Sequence, residues 1–359
     1  MIFRRLFGAF FLTVATVGCG QSADDPAEPA EAVEPAEPLA AVQPVESSEA
    51  VDPIQPTAGA ALRAGNRVAP EPEGEKADSI VVAVYNVENW LTMGRTVNGE
   101  RLDAAPKPDD EKEAVVDVIV EASPDIISVI EMGSKADFED LRERLAKRGL
   151  EYADAEYVRA GDDTRHVTLL SKFPIVERSS KTDVEFDIGG ILRPMGRGIL
   201  DVTVQVNPDY RLRVLGVHFK SKRPVPEYDQ AAMRAREALY LKNYTNKIID
   251  KNPDENVLLL GDFNDTKNEF PMRELLGGRG NRYHLTELDV ADEFGDRWTH
   301  YWQTADSYTR IDYLIANQAL LPEIVEGSGG VDRSKNFQQA SDHRLLHTEI
   351  IPRDEPAED

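Results

Sequence analysis

Carboxylates, amides and imidazoles recur in this chain directly beside short apolar runs. Glu131 follows Ile126-Ile127-Ser128-Val129-Ile130, and Asp262 and Asn264 follow Leu258-Leu259-Leu260-Gly261. Asn86 and Glu88 come after the run that ends at Tyr85, and His218 closes Val214–Val217. Asp312 opens Asp312-Tyr313-Leu314-Ile315, while Asp342 and His343 precede Leu345-Leu346. A charged group that ends a buried strand is costly unless something pairs with it. Taken singly, each of these residues also has the form of a helix cap or an Asx turn. Together they offer the oxygen ligands and proton carriers of a site that binds a metal and hydrolyses phosphate esters.

The division of labour follows from residue chemistry. A hard divalent cation takes a few oxygen ligands and keeps several waters. Glu131 is the first candidate ligand, with Asn86, Glu88 and Asp342 able to complete the shell. Asp262 can orient or deprotonate a water, and Asn264, two residues on, points the same way from an extended segment. His343 as an imidazolium can neutralise charge on a phosphoryl group, with Asp312 holding its ring. His218 leads into Phe219-Lys220-Ser221-Lys222-Arg223, a cation-rich stretch suited to a polyanion. Arg165 and Arg197 precede apolar runs and could face a phosphate, with surface ion pairs as the simpler role. His166, His284, His300 and His347 are assigned structural roles. The aromatic stretch Trp298–Tyr308 is assigned to packing ahead of base stacking. No short-spaced His or Cys pair suggests zinc.

The elements that position these groups alternate. Residues 79–85, 126–130, 166–171, 198–206, 212–217, 256–260, 310–316 and 345–350 are expected as strands from their β-branched and apolar runs. Helical spacing predicts helices over 111–121, 137–148 and 230–249. Helices and strands alternate early, and strands follow one another in the middle. This pattern indicates a layered α/β or α+β domain with one or two sheets flanked by helices. There is no internal repeat, no Gly-rich phosphate loop and no Gly-x-Ser-x-Gly elbow.

The rest of the chain has a different character. Residues 1–18 carry Arg4 and Arg5 and then an apolar run too short to span a membrane, the form of a secretion signal. Cys19, the only cysteine, follows directly and is the expected lipidation site, as in bacterial lipoproteins, although Thr16 replaces their usual Leu. Residues 20–78 are rich in Ala, Pro and Glu, with 13 acidic and 3 basic residues, and read as a disordered tether. The folded domain is expected over 79–352, with an acidic tail at 353–359. The linker carries −10, the two N-terminal arginines +2 and the tail −3, which leaves −13 on residues 79–352 of the total −24. Such a domain has no long-range attraction for nucleic acid. A local basic rim and bound cations can still reverse the field at a site.

The ordered set Asn86, Glu131, His218, Gly261-Asp262-Phe263-Asn264, Arg310-Ile311-Asp312 and Ser341-Asp342-His343 resembles the endonuclease/exonuclease/phosphatase superfamily over all of 79–352. The resemblance implies a four-layered α/β sandwich of two packed mixed sheets flanked by helices. It also implies Mg²⁺- or Mn²⁺-dependent cleavage of phosphate esters, with Ca²⁺ a further candidate ion. Glu131 resembles the principal metal ligand, and Asn86, Glu88 and Asp342 the rest of the shell. Glu88 stands where several members carry Asp. Asp262 and Asn264 match the water-orienting and phosphate-holding pair, and His343 the catalytic histidine with Asp312 behind it. The run from His218 to Lys222 is similar to bacterial extracellular nucleases, whose His pairs with an upstream Glu; Glu156 is the candidate here.

The expected function is therefore metal-dependent phosphodiester hydrolysis by an exported, membrane-anchored nuclease acting on DNA or RNA. Its mechanism would use an Asp262-oriented water, with metal or His218 assisting the leaving oxygen. The alternatives are a phosphoesterase acting on phospholipid, inositol phosphate or another phosphomonoester, and a tethered binding protein without activity. No apolar hairpin of the kind membrane-acting members insert into a bilayer is read in the sequence. No obligate protein partner is indicated, and a monomer is expected.

Overall fold

The computed structural model describes residues 77–97 and 99–353. Cys19, the signal and nearly all of the tether and tail lie outside the described residues. Strands β1 (Ile80–Trp90), β2 (Met93–Val97) and β3 (Glu100–Ala105) lead into helix α1 (Asp109–Ala122), strand β4 (Ile126–Met132) and helix α2 (Lys135–Lys147). Six strands follow: β5 (Asp154–Val158), β6 (His166–Ser171), β7 (Ile175–Arg178), β8 (Glu185–Ile188), β9 (Ile191–Pro194) and β10 (Ile199–Asn207). Then come β11 (Tyr210–His218), α3 (Gln230–Lys251), β12 (Val257–Asp262), α4 (Phe270–Leu276) and β13 (Thr286–Glu287). The chain closes with β14 (His300–Trp302), β15 (Ser307–Thr309), β16 (Asp312–Ala316), β17 (Gly330–Val331), α5 (Phe337–Ala340) and β18 (Leu346–Ile350).

Two six-stranded mixed sheets form the centre, ordered β17-β18-β1-β4-β6-β5 and β13-β16-β12-β11-β10-β7. Each contains one parallel pair, β1 with β4 and β11 with β12. The remaining pairs are antiparallel.

Strand alternation explains why two sheets pack face to face. Successive side chains point to opposite faces. Val82 and Val84 of β1, Val214 of β11, Leu258 and Leu260 of β12 and Leu314 of β16 fill one core between the sheets. The odd-numbered partners do the opposite. Ala83, Tyr85 and Val87 pack with α1 and α2, while Leu215, Leu259 and Tyr313 pack with α3 and α4. The result is helices, sheet, sheet, helices. Both faces of each central strand are buried, which is why these strands read as continuous apolar runs.

The structure extends the strands beyond the sequence boundaries. The first strand does not stop at Tyr85 but continues through Asn86 and Glu88 to Trp90. Likewise β4 reaches past Ile130 to Met132, and β12 includes Asp262. Three hairpins, β2–β3, β8–β9 and β14–β15, are absent from the sequence-based elements. The second of them carries two exposed apolar residues that the sequence-based elements do not include. It turns at Gly189-Gly190, both at positive φ, and holds Ile191 and Leu192 at 55% and 67% exposure. A two-residue Gly-Gly turn between short strand-like runs is a recognisable hairpin signal.

Candidate active site at the end of the inter-sheet core

The alternation that fills the inter-sheet core, continued to the ends of the strands, builds the site. Asn86 has the parity of Val82 and Val84, Asp262 that of Leu258 and Leu260, and His218 that of Val214. Asp312 has the parity of Leu314. The parallel registers pair Asn86 with Ile130 and His218 with Asp262, so these ends lie level within each sheet. The antiparallel register of β12 with β16 sets Asp312 opposite Asp262. All four residues are buried.

Contacts across the two sheets follow. Asn86 Nδ2 donates to Asp262 Oδ2 at 3.2 Å and lies 3.5 Å from His343 Nε2. Asp262 Oδ1 accepts the Asn264 backbone N–H at 2.9 Å, and Asn264 Nδ2 donates to the Phe219 carbonyl at 3.0 Å. His343 Nδ1 pairs with Asp312 Oδ2 at 2.8 Å. Its Nε2 stands 3.9 Å from both Asp262 Oδ2 and Asp342 Oδ1. His218 Nε2 lies 3.6 Å from Asp262 Oδ2 and 3.8 Å from Glu131 Oε1.

Four non-glycine residues at this end adopt left-handed backbone: Glu88, Asn89, Glu131 and Asn264, with φ from 47° to 66°. Each such conformation costs on the order of 1 kcal/mol or more, and its clustering marks a place where the fold imposes geometry on function. Part of the compensation is visible. Asn89 N donates to Glu131 Oε2 at 3.0 Å, and Glu88 N to Asn86 Oδ1 at 3.1 Å. Ser341 Oγ donates to the Asn86 carbonyl at 2.8 Å and accepts the His343 N–H at 3.0 Å.

Electrostatics separates the titrating groups. Burial raises the Asp262 carboxyl, and nearby Asp312 adds to this against the pull of His343, to about 8. Burial alone would lower His343, but Asp312 outweighs it and holds the imidazole well above its ordinary value, protonated at neutral pH. Burial drives His218 the other way, helped by Arg197 and His343, so it stays neutral. A neutral imidazole is a hydrogen-bond donor and a poor acid. His218 can therefore meet the leaving oxygen as a neutral N–H hydrogen-bond donor. Glu156, the upstream candidate to pair with His218, instead accepts from Arg178 at 3.0 Å and from Ser180 at 3.1 Å.

The expected metal ligands lie around the same end in two groups. Glu88 Oε2 accepts the Asp342 N–H at 3.1 Å, with Lys107 Nζ donating to the Glu88 carbonyl at 3.2 Å. Glu131 stands with Asn89, His218 and Arg165, whose Nε is 3.9 Å from Glu131 Oε2. Burial and the neighbouring Asp342 push the Glu88 carboxyl up to about 7. Carboxylates that crowd one another in this way suit a hard divalent cation, which neutralises them and needs only a few protein oxygens. Two tighter acidic and His groups also occur, His300 with Asp342 and His343, and Asp262 with Asp312 and His343.

His300 corrects a sequence assignment. It is not merely structural: its Nε2 is 3.7 Å from Asp342 Oδ2, and its ring centroid is 4.6 Å from that of His343. Burial would raise Asp342, but the His300 contact holds it below the usual carboxylate range. Thr299 carries no local signal at all and was missed. Its hydroxyl accepts the N–H groups of Ile311 at 3.0 Å and Asp312 at 3.1 Å. The aromatic stretch divides. Trp298 packs over the Arg344 guanidinium at 4.3 Å, whereas Trp302 lines the cleft and is 56% exposed.

A cleft of about 1400 Å³ opens from these residues. Arg165, Arg193, Arg197, Lys220, Lys222 and Arg223 line it together with Glu131, Asp162, Asp163, Glu237 and Asp342, so an acidic domain presents a basic wall of six cations among five carboxylates at its site. Lys222 is largely committed to Asp265 and Glu269, at 2.8 and 2.7 Å.

A sequence profile of the Endonuclease/Exonuclease/phosphatase family matches residues 97–343. An endonuclease/exonuclease/phosphatase from Bacteroides vulgatus superposes with a TM-score of 0.54 at 14% identity, covering 77% of this chain and 99% of that chain. Truncated Caenorhabditis elegans TDP2 gives 0.51 at 15% identity, covering 77% and 99%. Sphingomyelinase C from Streptomyces griseocarneus gives 0.50 at 16% identity, covering 76% and 100%. At these identities the likeness shows a common fold. No curated protein matches the chain. The profile match spans more than half of the sequence, and on that ground the chain belongs to the endonuclease/exonuclease/phosphatase family of phosphoester hydrolases.

Proposed function

We propose that this protein is a divalent-metal-dependent phosphodiesterase acting on nucleic acid outside the cytoplasm, tethered through a lipid on Cys19. The observation that carries the substrate reading is the basic wall beside the catalytic groups, with Arg165, Arg197 and Lys220 facing one cleft. Polyanions are held by such a wall chiefly through their phosphates. The location rests on the pattern of residues 1–19.

The residues divide the reaction as follows. Asn264 N–H and Asn86 Nδ2 fix the Asp262 carboxylate, which accepts the proton of the attacking water. With its value raised to about 8 it is a stronger base than an ordinary carboxylate, and it serves the water only once it has lost its own proton. The water oxygen bonds to phosphorus as the ester P–O bond breaks, and the leaving oxygen accepts a hydrogen bond from the His218 N–H and takes its proton from solvent. The His343 imidazolium, aligned by Asp312, neutralises the charge growing on the phosphoryl group. His218 offers a neutral N–H donor from the opposite wall. Mg²⁺ or Mn²⁺, held by Glu131, Glu88, Asp342 and Asn86, would supply positive charge against the phosphate oxygens.

A phospholipid is the second reading. It is favoured by the β8–β9 hairpin, which sets exposed Ile191 and Leu192 next to Arg193 and Pro194 of the cleft lining. One assay panel separates the two. The protein is incubated with plasmid DNA, single-stranded RNA, sphingomyelin and inositol phosphates under Mg²⁺ and Mn²⁺. Nicking of plasmid or cleavage of RNA is expected. Turnover of lipid alone would replace the first reading by the second.

A further inference from the structure

Phe219 separates two polar neighbours. Its ring packs in the core beneath α3 and α4. His218 and Lys220, two residues apart on this extended segment, therefore both face the cleft, roughly 7 Å apart along the backbone. One turn of α3 grips the Lys220 peptide from both sides. Glu237 Oε2 accepts its N–H at 2.7 Å, and Arg234 Nη1 donates to its carbonyl at 3.1 Å. Both clamping residues are buried, and Asp265 anchors Arg234 at 3.0 Å. The chain thus fixes the direction of one cleft lysine with three buried ionisable groups.

No carboxylate lies within ion-pair distance of the Lys220 ammonium among the described residues. Burial and the neighbouring Arg197 both disfavour its charge. Arg197 is only 8% exposed and lines the same wall. Its Nε makes no hydrogen bond, and its one ion-pair partner among the described residues is Asp162 at 3.4 Å. A buried guanidinium held only by one long ion pair to Asp162, beside an ammonium with no ion-pair partner, leaves positive charge that an anion can neutralise.

We infer that Arg197 and Lys220 form a second anion subsite, which takes the phosphate adjacent to the one being cleaved on a nucleotide strand. The inference rests on the phosphodiesterase reading above. The subsite lies beside His218, which itself lies 3.6 Å from Asp262, so it stands about one sugar–phosphate repeat from the reacting centre. A substrate with a single phosphate leaves it empty. A strand fills it.

Calorimetric titration of the full chain tests this with thymidine 3′,5′-bisphosphate against thymidine 5′-monophosphate, with Mg²⁺ present. Wild type is expected to bind the bisphosphate about tenfold more tightly, the size of one charge-assisted contact. Lys220→Met, at a half-exposed position, and Arg197→Gln, checked for folding by circular dichroism, are each expected to bring that ratio towards one. Equal affinities in wild type overturn the subsite, as does a preference that survives both substitutions. Tighter binding of inositol 1,4-bisphosphate than of the thymidine bisphosphate overturns its assignment to nucleotides. The binding ratio does not require turnover, so a failure to cleave nucleic acid would count against the functional reading alone.

Discussion

Thr299 Oγ1 accepts the backbone N–H of Asp312, and the Thr299 carbonyl accepts the N–H of Arg344, the residue after His343. One buried threonine therefore braces both members of the Asp312–His343 pair. Arg344 strengthens the brace. Its Nε donates to the Asp332 carbonyl at 2.8 Å, Nη1 to the Trp298 carbonyl at 3.3 Å and Nη2 to Asp292 Oδ2 at 2.8 Å.

Thr299→Val keeps the shape and removes the acceptor. Two buried N–H groups are then orphaned, at about 1–3 kcal/mol each. The kcat for a small phosphodiester is expected to fall roughly tenfold or more, because a shift of order 1 Å at the reacting groups is that costly. Thr299→Ser restores the acceptor and should recover most of the rate. Steady-state kinetics on the two variants makes the comparison, and equal activity of wild type and Thr299→Val would remove the brace from the mechanism.

Asp312 raises His343, so the imidazolium persists above its ordinary range and is lost only as pH rises through the elevated folded value. Below the unfolded value near 6.5 its contribution to stability is fully present. The alkaline limb of kcat against pH should therefore lie well above pH 6.5. Asp312→Asn should move that limb down in pH and lower kcat by roughly a hundredfold, as loss of a buried electrostatic partner does. A pH–rate profile of both proteins checks the shift.

Glu88 and Asp342 crowd two carboxylates, and Glu131 stands in a separate group beside His218 and Arg165. A divalent cation that binds the folded chain alone raises stability by mass action. Titration with Mg²⁺ or Mn²⁺ should raise the melting temperature of wild type, and EDTA should reverse it. Glu131→Gln should need about 10–100 times more metal for the same rise, in line with losses seen when metal-site groups are altered. Scanning calorimetry over a metal series gives the result directly.

Glu237 offers a pH test away from the reacting groups. Burial pushes its carboxyl up to about 7, against the lowering effect of the Lys220 N–H. Between its ordinary value near 4.5 and about 7 the unfolded chain ionises while the folded chain keeps the proton. Its effect on stability is therefore most favourable below 4.5 and is lost as pH rises to about 7. Glu237→Gln keeps an acceptor for the Lys220 N–H and removes the titration. The variant and wild type should unfold alike near pH 4.5, and the variant should be more stable at pH 8, by on the order of 2 kcal/mol. Urea unfolding at the two pH values measures the difference.

Much of this architecture is legible in the chain because buried central strands are long apolar runs. Ile126–Ile130 and Leu258–Leu260 need no partner to be recognised. The hairpins escaped because their strands are short, partly exposed and polar, as in Met93–Val97 and His300–Trp302. Thr299 and His300 escaped for a different reason. Their importance lies in contacts with residues 12 to 45 positions away, and neither has a distinctive neighbourhood.

The sequence alone determined parity. Period-2 alternation assigns Asn86, His218, Asp262 and Asp312 to the same face as the apolar residues before or after them, whatever the rest of the fold does. Only the tertiary structure decided that these faces meet. Packing of two sheets over one inter-sheet core brings the four strand ends and His343 into contacts of 2.8–3.9 Å. Burial in that layer then splits their charges, leaving His343 protonated, His218 neutral and Asp262 poised near 8. Those states depend on the dielectric and the neighbours that folding supplies, which no spacing along the chain specifies.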